Sequence, residues 1–316
     1  LKVAFDWKVR KNFRKGYKEE KGHKVLHFRE AFHGRTGYTM SLTNTDPNKV
    51  NLFPKFDWPR VLNPKIIFPL ENNLDAVIKA ENESIDQIYA ALKQYPDDIA
   101  VIIIEPIQAE GGDNHFRKEF LLKLREIADE NDIMLMFDEV QSGVGLTGKM
   151  WASEHFVMPD IMSFGKKMQV CGIMVSDRVN EEPDNVFKVS SRINSTWGGN
   201  LTDMVRAAKI LEVIHEEGLV QNSAIMGDLL LSELNSIQLE FPTLVSGVRG
   251  KGLMCAFDME DKTIRNEFIS RCWKEKLMIL SCGERSVRFR TPLIIQSEDL
   301  LKGCKIIREV LNSLVK

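Results

Sequence analysis

The chain of 316 residues is 43% hydrophobic and 28% charged, with a formal net charge of −2. That length accommodates two packed domains, and that composition is typical of globular proteins. The near-neutral balance excludes a large basic field for nucleic acid or anionic lipid, and no apolar run is long enough to span a bilayer. The 11 prolines and 20 glycines are scattered, so no long flexible linker is expected. The five cysteines (Cys171, Cys255, Cys272, Cys282, Cys304) lack metal-ligand spacing. With no signal segment, an intracellular, cytoplasmic setting without a structural metal is the expectation.

Leu1, Ala4 and Phe5 share one face of a helix that starts at the first residue, and an uncapped start predicts further sequence upstream. Lys24–Phe28 alternates like a strand and leads into the glycine turn Phe32-His33-Gly34-Arg35. Pro47, Pro54, Pro59, Pro64 and Pro69 make residues 43–70 an irregular excursion or a disordered loop, and the rings of Phe53, Phe56, Trp58 and Phe68 favour order. A helix is predicted over 74–94, ending before Pro96.

From there the rhythm becomes strand, helix, strand. Ile99–Ile104 is a continuous apolar run, as in a strand covered on both faces. Phe116, Phe120, Leu124, Ile127 and Ala128 form the stripe of the next helix. Ile133–Phe137 and Ile161–Phe164 are the next strands. The alternation predicts an α/β fold with a parallel, doubly wound sheet, whose ligands bind at the carboxyl ends of the strands. Beyond Gly199, helices are expected over 202–217, 220–239, 264–275 and 297–314, with strands at 253–258, 278–281 and 287–289. This mixture predicts a large domain over 1–214 and a smaller α+β domain over 215–316.

Three strand ends carry polar groups: Glu105-Pro106-Ile107-Gln108-Ala109-Glu110-Gly111-Gly112, then Asp138-Glu139-Val140-Gln141-Ser142-Gly143, then Pro159-Asp160-Ile161-Met162-Ser163-Phe164-Gly165-Lys166-Lys167. A carboxylate and a lysine placed there are costly to bury without partners. A cofactor with a basic ring nitrogen and an aldehyde would partner both. Taken singly, Asp138 would be a helix cap and Lys166 a surface lysine.

The three motifs in this order resemble those of the pyridoxal-phosphate-dependent class III aminotransferases of fold type I. That resemblance implies that Lys166, rather than its neighbour Lys167, carries pyridoxal 5′-phosphate covalently and shuttles the substrate proton. It implies that Asp138 keeps the pyridine nitrogen protonated, that Gln141 bonds the ring 3-hydroxyl and that Val140 packs on one ring face. Phe32 would cover the other face, and His33 beside it joins the cofactor-binding set. Ser195 and Thr196, in Asn194-Ser195-Thr196-Trp197-Gly198-Gly199-Asn200, would bind the phosphate of a neighbouring subunit, which implies a homodimer with shared active sites. The family's main phosphate loop would lie upstream of residue 1. His115 and the cysteines have no assigned role.

The resemblance also implies how two substrates share one pocket. Arg35 would take the distal carboxylate, and Arg288 the one beside the reacting carbon, with Arg290 close enough in sequence to compete for that role. Guanidinium forks suit carboxylates. Glu110 would neutralise Arg288 while an ω-amino donor is bound and swing away for 2-oxoglutarate. Residues 31–45, 53–60 and 165–172 are similar to the branch acting on the ε-amine of L-lysine, with 2-aminoadipate 6-semialdehyde and L-glutamate as products. Ornithine and 4-aminobutyrate fit the same charges. An aminomutase or racemase on this scaffold, or a chain that binds cofactor poorly, are the readings from other classes.

Overall fold

In the computed structural model, which describes residues 1–315, the chain opens with α1 (Lys2–Arg14), whose Val3, Ala4 and Trp7 are buried. There follow β1 (Lys24–Phe28), the single turn α2 (Gly37–Met40), β2 (Arg60–Val61) and α3 (Leu70–Gln94). Next come β3 (Ile99–Ile104), β4 (Ile107–Gln108), β5 (Asn114–His115), α4 (Lys118–Glu130), β6 (Met134–Asp138), β7 (Ile161–Phe164) and β8 (Gly172–Val175). The principal sheet has the order β2-β1-β3-β6-β7-β8 and is parallel throughout except for β8, which runs antiparallel to β7.

Both faces of that sheet are covered, which explains its unbroken apolar strands. Successive side chains point to opposite faces. Leu26, Ile102, Ile104, Leu135 and Phe137 therefore pack with Ile88 of α3 and Phe120 and Leu124 of α4. Val25, Val101, Ile103, Met134 and Met136 pack with Val3, Ala4 and Trp7 on the opposite side. Each such side chain, fully buried, contributes about 1.5–3 kcal/mol. The segment over 43–70 is ordered: Phe56 and Trp58 stack with ring centroids 4.9 Å apart, and Tyr38 and Phe5 flank them.

The remaining elements are α5 (Leu201–Glu216), α6 (Leu219–Glu240), β9 (Val245–Lys251), β10 (Met254–Met259), α7 (Lys262–Lys274), β11 (Leu280–Cys282), β12 (Ser286–Arg290) and α8 (Ser297–Val315). Their antiparallel sheet, ordered β11-β12-β10-β9, buries Cys255, Phe257, Val287 and Phe289 against Leu234 of α6, Phe268 of α7 and Ile307 of α8. The strands expected at 24–28, 99–104 and 161–164 match β1, β3 and β7, while β8 and β9 have no counterpart among those expected. The helix expected from residue 74 begins earlier, at Leu70.

Glycines allow close main-chain approaches around the small sheet, and a Cβ on Gly283, between β11 and β12, would lie 2.7 Å from the Gly111 carbonyl oxygen. A Cβ on Gly227 of α6 would lie 2.2 Å from the carbonyl carbon of Gly252, and one on Gly252 would lie 2.4 Å from that of Thr147. Gly252 also has φ +54°, a conformation glycine adopts freely. Among the described residues no helix is long and apolar enough to cross a membrane.

Candidate active site

Parallel strands deliver their carboxyl ends to one edge, and the three motifs end there. Asp138 ends β6, Glu105 follows β3, and Gly165-Lys166-Lys167 follow β7. Asp138 is nearly enclosed, at 11% side-chain exposure, and its carboxylate has three partners. Oδ2 lies 2.8 Å from Nδ1 of His33, while Oδ1 accepts from the Val140 amide at 3.1 Å and the Ser163 hydroxyl at 3.0 Å. Burial alone would raise the Asp138 pKa, but the His33 bond and charge, then Val140 and Ser163, hold it below the usual value. Burial alone would lower the His33 pKa, yet Asp138, with Glu105 behind it, raises it. Each partner thus favours the charged form of the other.

Glu105 and Glu139, buried carboxylates in the same motifs, do other work. Glu105 accepts the backbone amides of Phe32 at 2.9 Å and Ala109 at 3.2 Å, so it ties the glycine turn to the β3 end. Burial pushes its pKa up to about 7. Glu139 accepts from Ser142 and from the amides of Ala152 and Ser153, fixing the turn after β6. Gln108 accepts from Asn63 and Asn114 and donates to the Arg29 carbonyl, so it braces the segment that carries Glu110.

The two adjacent lysines differ sharply. Lys166 is exposed, and its ammonium has no hydrogen-bond partner among the described residues. Lys167 donates to the carbonyls of Gln141 at 2.7 Å and Gly143 at 3.3 Å. Burial, with Arg290 and Lys166 nearby, lowers its pKa to about 7. Val140 approaches Gly165, with a Cγ 3.6 Å from where a Cβ on that glycine would sit.

The arginines separate just as clearly. Arg290 is bound through Nη1 and Nη2 to the buried Asp113. Arg288, at 13% side-chain exposure, has Nη1 3.0 Å from Oε2 of Glu110. That approach lacks hydrogen-bond alignment, so Arg288 Nε and Nη1 are buried donors without a hydrogen-bond acceptor among the described residues. Glu110 Oε1 accepts from Lys49 at 2.7 Å. Burial would raise the Glu110 pKa, but the Lys49 bond and the Arg288 charge hold it below the ordinary value.

The side chains of the other expected residues make no hydrogen bond to this cluster among the described residues. Phe32 is half-buried, and Lys49 lies over its ring at 5.3 Å. Gln141 is half-buried, and its side chain makes no hydrogen bond among the described residues. Arg35 is exposed and has no ion pair among the described residues. Ser195 and Thr196 sit on an exposed loop ahead of α5 and make no hydrogen bond to the Asp138 cluster. Lys49, Asp113 and Ser163 carry contacts here without having been expected to. Ser163 lies inside the third motif, whereas Lys49, in the proline-rich stretch, offers no motif at all.

These residues fit pyridoxal phosphate. Asp138 stays ionised in a closed setting, as a protonated ring nitrogen requires, a primary amine lies after the neighbouring strand, and apolar Val140 and Phe32 are at hand. The class-III aminotransferase family pattern matches residues 1–311. The L-lysine-epsilon aminotransferase of Mycobacterium tuberculosis is 49% identical over 312 residues, 98% of this chain and 69% of that protein. The L-lysine-epsilon aminotransferase of Amycolatopsis lactamdurans is 43% identical over 317 residues, 99% of this chain and 70% of that protein. A solved structure of lysine aminotransferase from M. tuberculosis, in its internal aldimine form, superposes with a TM-score of 0.96 at 48% identity, covering 99% of this chain and 72% of that one. The chain therefore belongs to the class-III aminotransferases, which are pyridoxal-phosphate-dependent enzymes.

Proposed function

We propose that this enzyme moves the ε-amino group of L-lysine to 2-oxoglutarate, giving 2-aminoadipate 6-semialdehyde and L-glutamate. The observation that carries the proposal is Glu110 set against Arg288 while Arg290 is committed to Asp113. A donor that reacts through a terminal amine brings no carboxylate to the reacting carbon, so Glu110 supplies the negative charge Arg288 needs. A donor reacting through its α-amine would bring its own. The identity to L-lysine-epsilon aminotransferases supports lysine over other ω-amines.

In this reading Lys166 holds the cofactor and moves the proton at the ε-carbon of the donor. Bound pyridoxal phosphate supplies a sink for the charge that develops at that carbon. Asp138 keeps the ring nitrogen protonated, and His33, bonded behind it, keeps Asp138 ionised and oriented. Val140 and Phe32 bracket the ring plane, and Gln141 meets its 3-hydroxyl. Arg35 takes the donor's α-carboxylate and Arg288 the α-carboxylate of 2-oxoglutarate. Ser195 and Thr196 reach the phosphate of a second subunit in a homodimer, a role compatible with their exposure. The boundary between the large and small domains falls near residue 215 in this reading.

The deciding experiment offers the holoenzyme L-lysine, L-ornithine and 4-aminobutyrate in parallel with 2-oxoglutarate and follows glutamate. Lysine is expected to give the highest kcat/KM, with a cyclising aldehyde product. A higher value with another donor would reject lysine as the preferred substrate. Glu110→Ala is expected to shift the ratio of α-amino to ω-amino turnover by roughly 10-fold or more, since a bare Arg288 then attracts α-carboxylates. An unchanged ratio in the donor panel would remove Glu110 from substrate selection.

A further inference from the structure

We infer that Lys49 is a specificity-determining residue, the second post onto which Glu110 is handed when Arg288 must take the acceptor's carboxylate. The inference rests on the reading of the site just given and goes beyond it. In that reading Glu110 leaves Arg288, but a carboxylate released into a half-buried pocket with no partner is strongly disfavoured. Lys49 offers the place for it to go. Of the two cations on Glu110, Lys49 makes the aligned hydrogen bond, Nζ to Oε1 at 2.7 Å. The Arg288 contact, Nη1 to Oε2 at 3.0 Å, is a charge contact without hydrogen-bond alignment. Glu110 is thus already anchored through one oxygen to Lys49, and parting from Arg288 does not cost it that partner.

Counting charges supports the arrangement. Lys49 and Arg288 are two cations facing one fixed anion, Glu110. With an ω-amino donor in place, Glu110 spans both. With 2-oxoglutarate in place, the acceptor's carboxylate faces Arg288 and Glu110 faces Lys49, so both pairs are neutral. The side chains are 26%, 24% and 13% exposed for Lys49, Glu110 and Arg288, shielded enough for the pairing to matter. Lys49 also lies over the Phe32 ring at 5.3 Å, which puts it in the pocket and not on a remote surface. Asp46 accepts the Asn48 amide and so caps the short turn that presents Lys49.

The test is Lys49→Met in the holoenzyme, with the two half-reactions followed separately by rapid mixing, L-lysine for one and 2-oxoglutarate for the other. Without its second post Glu110 clings to Arg288. The 2-oxoglutarate half-reaction is therefore expected to weaken about 10-fold more than the lysine half-reaction, in KM and not in kcat. Lys49→Arg should restore the ratio, which separates charge from a folding defect. In a Glu110→Gln background, adding Lys49→Met should leave the ratio where Glu110→Gln set it. Equal losses in both half-reactions, or no loss, would overturn the role of Lys49. A parent enzyme that accepts neither L-lysine nor 2-oxoglutarate would instead overturn the proposed function itself.

Discussion

Lys166→Ala is expected to lower turnover by at least about 10⁴-fold, because the covalent hold on the cofactor and the proton transfer disappear together. The neighbouring side chain makes this the sharpest test of the site. Lys167 is half-buried, its pKa is lowered to about 7, and its ammonium is committed to the Gln141 and Gly143 carbonyls. Lys166 is exposed and uncommitted among the described residues. Lys167→Ala is therefore expected to loosen the turn after Asp138 while leaving the cofactor's covalent hold intact. Borohydride reduction of the holoenzyme followed by peptide mapping reads the answer directly. Label on Lys166 agrees with the assignment, and label on Lys167 moves it by one residue.

Asp138→Ala should cost roughly 10³-fold in kcat, the scale of losing a preorganised charge at the reacting centre. The change also strips His33, Val140 and Ser163 of their shared acceptor. Asp138→Asn keeps the shape and removes the charge, so a similar loss in both variants would locate the effect in electrostatics. A drop of less than about 10-fold in either would disprove the role. The acid limb of stability offers a second readout. The folded pKa of Asp138 lies below its ordinary value of 3.8, so its contribution is present above 3.8 and lost as pH falls through the folded value. Thermal melts of Asp138→Asn should lack that part of the acid dependence.

The inner strands of the large sheet were legible because they are covered on both faces, so Ile99–Ile104 and Ile161–Phe164 needed no tertiary information to stand out. β9 was hidden by Gly247 and Gly250, which weaken any strand pattern, and Gly247 has φ +58°. β8 is four residues long and mostly open to solvent, so no core face marks it. In the site, Asp138 could be found because a motif surrounds it, whereas Glu105 stood inside a motif with nothing local to mark its hold on the Phe32 and Ala109 amides. Arg288 and Arg290 could not be told apart, since residues two apart on a strand share a face. What separates them is Asp113, 177 residues away from Arg290 in the chain. Lys49 belongs to the same class of long-range fact: it meets Glu110 across 61 residues, from a segment with no periodicity.

The contact between Gly283, beside the strand that carries Arg288, and Gly111, beside Glu110, bears on how this enzyme can change over generations. Main chain touches main chain there, with no side chain between that could shrink, swell or turn aside. The seating of the sheet that carries Arg288 against the segment that carries Glu110 is thus inherited from backbone geometry, not from the identity of core residues. Substitutions in either core can drift and alter stability without retuning the gap across which the two charges face each other. Donor preference is insulated from most of the sequence, and the freedom to alter it is concentrated in the few side chains on the pocket rim.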